Sequence, residues 1–290
     1  MYKKLKTAIC ISLTLGVTMS TYAEMLVILP ETGPMASAAD SIKRGFSAAN
    51  QQAGNKYQLR FVNVDKTPLE VILKNQVSKK TDVIIGPLDK QHVQQLMQLQ
   101  PKVTTLALNQ VHAHQKGIYQ FALSKEEDAL ALTKRMQWDG IENIVVIRED
   151  QTKNQTQSFY DAMSQLWGAK MQIKTSLPKS LSAKQGVLLL GSNTWLSRQK
   201  LPKKQIYTLP YAIDENVKLP EGLVYCDTPA LYVQQWLDVI SAYKEKPVSL
   251  PFQRLIAFGG DAWQIADRLK QTPNQVIEFQ GRTGNIRIAR

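Results

Sequence analysis

Three histidines are the side chains of this sequence best suited to acid-base or metal chemistry, and their positions argue against both. His92 falls on a predicted helix beside Gln91 and Gln94, whereas His112 and His114 share one loop. A zinc site needs three or four ligands, and no cysteine or acid stands near the loop pair in the sequence. The Gly-x-Ser-x-Gly turn that presents the nucleophile of α/β hydrolases is also missing. We therefore predict a protein that is not an enzyme and that has no catalytic residues, metal or cofactor.

Glycines stand at the ends of predicted strands and do not form a phosphate-binding loop. No Gly-x-Gly-x-x-Gly follows the first apolar run, and no Gly-x-x-x-x-Gly-Lys-Ser/Thr occurs anywhere. Gly33 and Gly86 follow strand-length apolar runs, where a turn often needs a positive φ. The same positions border the crevice at the carboxyl ends of parallel strands, where α/β proteins bind ligands. A turn and a ligand contact are therefore both open interpretations.

Polar residues that follow predicted strands are the candidates for a ligand cleft. An amino-acid receptor usually shows a clearer serine or threonine pair, together with an acid, for the two charged ends of its ligand. Whether this cleft binds a ligand is therefore left open. The candidates are Thr32, Gly33, Ser37, Gly86, Asn109, Tyr119 and Asp227.

Short apolar strands alternate with segments of helical spacing along most of the chain. The run from Met25 to Leu29 predicts a strand buried on both faces, and residues 36–52 predict the helix that follows it. The unit repeats, and a second set begins with the strand at 144–147. Such alternation requires right-handed crossovers and a parallel sheet covered by helices. We predict an α/β protein with two lobes like a type I periplasmic binding protein, each lobe a mainly parallel sheet flanked by helices.

The order of the predicted elements indicates lobes that are discontinuous in sequence. We assign residues 24–122 and about 251–275 to the first lobe, and residues 123–250 and about 276–290 to the second. A connection bounded by Pro247 and Pro251 suits a chain that crosses between lobes more than once. Asp261, which precedes a helical pattern, is predicted to cap the amino terminus of a helix.

Residues 1–23 have the pattern of a secretory signal peptide. A start with three lysines precedes an apolar stretch from Ala8 to Met19, and small residues lead to a cleavage site after Ala23. Cys10 follows Ile9 and lies inside the apolar core, so lipidation of Cys10 is not expected. No later segment has the roughly 20 apolar residues that a transmembrane helix requires. We predict a periplasmic protein and leave peripheral association with the outer membrane open.

Charge and cysteine content narrow the possible partners. The chain carries a net charge of +12, and removal of the leader with its three lysines leaves +9. A basic surface can meet anionic lipid, an acidic envelope polymer or an acidic patch on another protein, while nucleic acid is not expected outside the cytoplasm. Candidate partner contacts are Lys200, Lys203 and Lys204, for which a solvated loop is the alternative. After cleavage Cys226 is the single cysteine, which excludes an intramolecular disulfide.

Several ordered segments together resemble the LppC/LpoA family of penicillin-binding protein activators. The segments are Ile28–Pro34, Ser41–Ala49, Val83–Leu88, Leu106–Asn109 and Ala257–Trp263, and Gly281-Arg-Thr-Gly284 is similar to the family's Gly-x-Thr-Gly. The resemblance implies a regulator associated with the outer membrane whose partner is a penicillin-binding protein, the peptidoglycan synthase, or peptidoglycan itself. Longer family members have an amino-terminal helical repeat domain and a lipid anchor, and we expect neither in this chain.

Two functions follow as competing hypotheses. The first is a non-catalytic envelope protein that regulates peptidoglycan synthesis through protein contact. The alternative is a periplasmic solute-binding protein that captures an amino acid or another small ligand between its lobes.

Overall fold

The first sheet is built from strands that follow one another along the amino-terminal half of the chain. The computed structural model describes residues 23–214, 216–272 and 275–289, so the predicted signal peptide lies outside the described residues except for Ala23, and Cys10 lies outside them as well. The five strands are parallel, in the spatial order β2-β1-β3-β4-β5. They are β1 (Glu24–Leu29), β2 (Gln58–Asn63), β3 (Thr81–Ile85), β4 (Thr105–Ala107) and β5 (Ile118–Gln120).

Helices cover both faces of this sheet because β1 is apolar on both sides. Met25 and Val27 pack into the core formed with α1 (Ala36–Gln52) and the long carboxyl-terminal helix, whereas Leu26 and Ile28 pack into the core on the opposite face. That opposite face is covered by α2 (Leu69–Asn75) and α3 (Lys90–Leu99). The alternation of side chains along the strand thus builds two cores from one apolar run.

The second lobe repeats this architecture. Helix α4 (Lys125–Trp138) leads into a parallel sheet with the order β10-β9-β8-β6-β7. The α4 and α5 (Lys153–Trp167) helices cover one face, and α6 (Asn193–Leu196) lies with apolar loop residues on the other. The strands are β6 (Asn143–Arg148), β7 (Met171–Ile173), β8 (Gln185–Leu190), β9 (Ile206–Thr208) and β10 (Leu223–Val224). The predicted fold class, two lobes of parallel sheet flanked by helices, is confirmed.

The carboxyl-terminal elements pack on the first lobe, which corrects the predicted lobe boundaries. Helix α7 (Leu237–Glu245) packs against α1 and α8 (Leu250–Gln271), although residues 123–250 were expected in the second lobe. The antiparallel hairpin of β11 (Ile277–Gln280) and β12 (Asn285–Ile288) buries its isoleucines in the first core, so the assignment of residues 276–290 to the second lobe is wrong. We therefore propose that the first lobe comprises residues 23–122 and 229–289.

Helices α1 and α8 approach each other unusually closely, and glycine makes the approach possible. A Cβ atom added to Gly45 would lie 1.8 Å from the carbonyl oxygen of Ile256. A Cβ atom added to Gly259 would lie 2.1 Å from the carbonyl oxygen of Ile42. The two helices therefore touch through their backbones at two reciprocal positions.

Among the helices of the described residues, none is long and apolar enough to cross a membrane.

Candidate functional site between the two lobes

The first-lobe rim of the cleft is formed by the turn that follows β1. Asp65, just after β2, accepts hydrogen bonds from the backbone N–H groups of Glu31 and Thr32 and from Thr32 Oγ1, each at 2.9 Å. These bonds, with those from Thr32 first, hold the pKa of Asp65 below its usual value. Thr32 is exposed, yet its hydroxyl donates to the protein itself. Gly33, with φ +68°, and Ser37 lie exposed beside it.

Gly86 and Asn109 lie on the same rim, just after the ends of the neighbouring strands β3 and β4. Gly86 is buried with φ +95°, and a Cβ atom there would lie 2.1 Å from the carbonyl oxygen of Ile28. Asn109 donates from Nδ2 to the carbonyl of Leu88 at 2.9 Å, and its Oδ1 accepts the backbone N–H of Gln110. Both residues therefore have a structural reason for their identity that needs no ligand.

Tyr119 does not line the cleft. It is only 8% exposed and belongs to the first hydrophobic core. Because side chains alternate along an extended strand, Tyr119 and Phe121 point to the same face of the sheet, where Phe121 stacks on Phe258 of α8 at 4.5 Å. The expectation that Tyr119 is a cleft residue is corrected by this packing.

Asp227 joins the two lobes through a buried ion pair. It follows β10 in the second lobe and pairs with Arg254 of α8, from Arg254 Nε to Oδ1 at 2.6 Å and from Nη2 to Oδ2 at 2.7 Å. Tyr232 Oη and the backbone N–H of Thr228 also donate to the carboxylate, each at 2.8 Å. The side chains of Asp227 and Arg254 are 3% and 13% exposed. The carboxylate that could have held a ligand's amino group is therefore already saturated.

On the second-lobe rim, as on the first, an acidic side chain at the end of one strand accepts hydrogen bonds from residues that follow the neighbouring strand. Glu149, at the end of β6, accepts hydrogen bonds from the backbone N–H of Ser192 at 2.6 Å and from Ser192 Oγ at 3.1 Å, just after β8. Neither rim acid, Asp65 or Glu149, was among the predicted cleft residues, although each follows a strand and could have been chosen on that ground. Arg254 carries no such local signal, because it lies inside a helix.

The three candidate partner lysines lie away from this junction. Lys200, Lys203 and Lys204 are exposed on the loop that precedes the amino end of β9, whereas Asp227 follows the carboxyl end of the neighbouring strand β10. Gly222, which approaches the backbone of Lys203, lies before β10 at the same end of the sheet. Within the described ranges, no ion pair involves these lysines. The structure therefore separates the predicted partner contacts from the predicted cleft.

A second polar cluster is buried beneath the carboxyl-terminal hairpin. Asp261 lies inside α8, so its predicted role as a helix cap is wrong, and it accepts hydrogen bonds from the backbone N–H groups of Arg282 and Thr283 and from Thr283 Oγ1 at 2.7–2.8 Å. Arg282 also donates to Asp238 Oδ2 at 2.7 Å and to Gln264 Oε1 at 3.0 Å. Burial raises the pKa of Asp261, against the hydrogen bonds that favour its charged form.

The histidines and the cysteine do not form a reactive group. Asp89 caps α3 and contacts the ring of His92, while His112 and His114 are exposed on their loop. Among the residues that the structure describes, no cluster of three or more histidine, cysteine or acidic side chains could hold a metal ion. Burial raises the pKa of Cys226, which keeps its thiol protonated and poorly nucleophilic.

Known proteins resemble this chain in both sequence and structure. A family model described as "LppC putative lipoprotein" matches residues 6–185. Penicillin-binding protein activator LpoA of Haemophilus ducreyi is 24% identical over 90% of this chain and 50% of its own length. The protein of the same name from Glaesserella parasuis is 26% identical over 84% of this chain and 47% of its own length. The chain thus spans about half the length of the curated relatives it matches.

Two solved structures share the fold over nearly their whole length. The C-domain of LpoA from Haemophilus influenzae, described as a regulator of PBP1A, has a TM-score of 0.71 at 19% identity, covering 92% of this chain and 95% of that domain. A "putative branched-chain amino acid ABC transporter" from Chromobacterium violaceum has a TM-score of 0.70 at 22% identity, covering 91% and 94%. At these identities the similarity concerns the fold alone.

Proposed function

This chain belongs to the LppC family, and from that premise we propose that it is a non-catalytic envelope protein that regulates peptidoglycan synthesis by contacting a penicillin-binding protein. The names of the curated relatives support this function, and the correspondence with nearly all of one LpoA C-domain supports it as the role of this part of the fold. The predicted leader, residues 1–23, supports a periplasmic site of action, with peripheral outer-membrane association as a further proposal.

One observation carries the choice between the two hypotheses. An amino-acid receptor usually offers an acid to the ligand's ammonium group, because a buried charge needs a partner. Asp227 is the candidate acid of the second lobe, and its two oxygens already accept four hydrogen bonds, two of them from Arg254. Breaking this pair to admit a ligand would leave the guanidinium without its partner. Asp227 is therefore not available to an amino-acid ligand, which favours regulation through protein contact over amino-acid capture.

Solute binding remains the second candidate function because of two observations. The fold is shared with a described amino-acid transporter component, and the first-lobe rim exposes Thr32, Gly33 and Ser37 together. In that alternative these three residues, with Gly86 and Asn109, would bind the ligand from the first lobe.

Binding to a purified synthase distinguishes the two functions. We expect the purified protein to bind a purified penicillin-binding protein saturably in calorimetry, since the relatives are named as activators of penicillin-binding proteins. We expect no change in melting temperature with free amino acids. A saturable shift of several degrees with an amino acid, without synthase binding, would favour the receptor instead.

The lysine loop provides the first prediction about the binding surface. We propose that Lys200, Lys203 and Lys204 contact an acidic region of the partner, so reversing all three to glutamate should weaken synthase binding about tenfold and flatten its salt dependence. A matched control reverses Lys66, Lys74 and Lys102, three exposed lysines of the first lobe, with the same change in net charge. Equal effects of the two triple variants, or none from the first, would exclude a specific role for the loop.

A further inference from the structure

Five segments of the second lobe come just before its five strands, at one end of the sheet, and we call them together the amino edge. They are residues 134–142, 166–170, 182–184, 200–205 and 218–222, before β6, β7, β8, β9 and β10 in that order. The strands are all parallel, and the carboxyl end of β10 leads to Asp227, which pairs with Arg254 of the first lobe. The amino edge therefore lies at the opposite end of the sheet from that ion pair.

Hydrogen bonds between neighbouring segments make the amino edge one continuous surface. Gln205 donates from Nε2 to the carbonyl of Ala183 at 2.6 Å, which joins the loops before β9 and β8. Tyr207 of β9 donates from Oη to Asp139 Oδ2 at 2.8 Å, which joins the end of α4 to the start of the same strand. The lysine loop, residues 200–204, therefore lies on the same edge as the end of α4.

Two large apolar side chains are exposed where the helices end at this edge. Trp138, the last residue of α4, is 87% exposed, and Leu166, in the last turn of α5, is 44% exposed. Trp167 donates from Nε1 to Thr133 Oγ1 at 2.9 Å, so the last turns of the two helices lie side by side. Tryptophan is among the residues that contribute most to protein interfaces, and covering so exposed a ring is favourable.

The exposed charge of the amino edge is strongly positive. Its segments contain eight lysine or arginine residues and three acids, a net charge of +5. Two of the acids are paired within the edge, Glu142 with Lys184 at 2.6 Å and Asp139 with Arg135 at 3.0 Å. The other six bases are exposed and make no ion pair within the described ranges. They are Lys134, Lys170, Lys200, Lys203, Lys204 and Lys218.

Charge complementarity selects an acidic partner, and the place of the two paired acids selects a protein over a membrane. A phospholipid surface offers negative charge as well. However, Asp139 directly follows Trp138, and Glu142 is 55% exposed, so insertion of the tryptophan would bring both carboxylates against anionic headgroups. A protein segment avoids this cost, because it can place hydrogen-bond donors opposite these acids and carboxylates opposite the lysines.

We infer that the amino edge docks an acidic segment of the synthase that also carries apolar or aromatic side chains. The inference rests on the proposed function and extends the contact of the lysine loop to the whole edge. Apolar side chains of the partner pack on Trp138 and Leu166, and its carboxylates face Lys170 and the lysine loop. The Asp227–Arg254 pair stays uncovered in this complex, because it lies at the other end of the second sheet.

The first test removes the apolar contacts and leaves every charge in place. Trp138→Ser with Leu166→Ser should raise the Kd for a purified penicillin-binding protein about tenfold. The control, Tyr211→Ser with Leu237→Ser, removes an aromatic ring and a leucine that are 50% and 64% exposed elsewhere, and should change the Kd less than about twofold. Thermal unfolding followed by circular dichroism checks that both double variants are folded.

The second test reverses charge outside the lysine loop. Lys134→Glu with Lys170→Glu should raise the Kd about fivefold at low salt and less at high salt, because screening weakens the lost attraction. The control, Lys74→Glu with Lys66→Glu, makes the same change in a last helical turn and a loop of the first lobe. Equal effects of the two pairs would show that only net charge matters and would overturn the inference.

The outcomes separate this inference from the proposed function. Undiminished binding of the Trp138 and Leu166 variant, with normal wild-type binding, overturns the docking surface and leaves the proposed function standing. Absence of wild-type binding overturns both. If this variant binds the synthase normally but no longer sediments with vesicles of phosphatidylglycerol and phosphatidylcholine that retain the wild type, the edge binds a membrane and the inference is overturned. A wild-type dimer that the same variant converts to a monomer would assign the edge to a second copy and overturn it too.

Discussion

Replacement of Gly259 with alanine is expected to destabilise the protein by about 3 kcal/mol. The new Cβ atom would lie 2.1 Å from the carbonyl oxygen of Ile42 and 2.9 Å from the backbone nitrogen of Phe46. Backbone atoms of a packed helix cannot rotate away as a side chain can, so α1 and α8 would have to separate. Urea unfolding followed by circular dichroism measures the loss directly.

The test is decisive because helix propensity and backbone contact predict opposite changes in the free energy of unfolding. Alanine has the higher helix propensity, worth up to about 1 kcal/mol, so propensity alone predicts a more stable protein. Gly45→Ala should behave like Gly259→Ala, because its Cβ atom would meet the carbonyl of Ile256 at 1.8 Å. Gln51→Ala, on the exposed side of α1, is the control and should change stability by less than about 0.5 kcal/mol. A Gly259 variant as stable as the wild type would show that the helices do not touch through their backbones.

The strands and helices of the first sheet could be predicted because their information is local. Met25–Leu29 is apolar at every position and ends at Pro30, and α1 follows with apolar residues at helical spacing. The order of such units fixes the handedness of the crossovers and hence the parallel sheet. Fold class therefore followed from short-range pattern alone.

The carboxyl-terminal third could not be predicted in the same way, because its position depends on contacts between distant residues. The strand pattern of residues 276–288 is visible in the sequence, but nothing local indicates which lobe it covers. The hydrogen bond from the backbone N–H of Arg282 to Asp261, 21 residues away, holds the hairpin against α8 of the first lobe. Asp261 was predicted as a cap because it precedes a helical pattern that begins at Ala262. In the structure the helix continues through Gly259 and Gly260, since close packing is the reason for both glycines.

The candidate site was predictable in position and not in detail. The rule that polar residues after parallel strands border a cleft located Thr32, Asn109 and Asp227 correctly at strand ends. It could not show that their polar atoms are satisfied within the protein. The prediction for Tyr119 was wrong for another reason. Tyr119 lies within a strand, and the alternation of side chains along that strand directs its ring into the core.

The motifs that carry the family resemblance have a structural explanation. Asp261, from the segment Ala257–Trp263, accepts hydrogen bonds from Arg282 and Thr283 of the Gly-Arg-Thr-Gly segment. Gly281 is needed there too, since a Cβ atom would lie 2.8 Å from the Asp261 carboxylate. Two segments that are distant in sequence thus form one buried joint. Such motifs identify the fold, and the choice of partner must come from exposed residues.

Replacement of Arg282 with methionine tests this buried contact and should lower the free energy of unfolding by about 3–5 kcal/mol at pH 7. The side chains of Asp238 and Asp261 are 1% and 0% exposed, and both would lose the guanidinium that compensates their charge. Asp238 Oδ1 already lacks a hydrogen bond among the described residues. Arg287→Met on the same hairpin is the control, because the Arg287 side chain is 72% exposed in its pair with Glu278 and should contribute little.

The pH dependence of the loss identifies its cause. Burial already raises the pKa of Asp261 in the folded state, and without Arg282 that pKa should rise further above the value of about 3.9 for unfolded aspartate. A raised folded pKa contributes stability that is present below the unfolded pKa and is lost as pH rises through the folded one. The difference from the wild type should therefore shrink between pH 7 and pH 4, and adding Asp238→Asn should restore part of it at pH 7. A loss that is the same at both pH values would indicate that Arg282 acts through packing and not as the counter-charge of two buried acids.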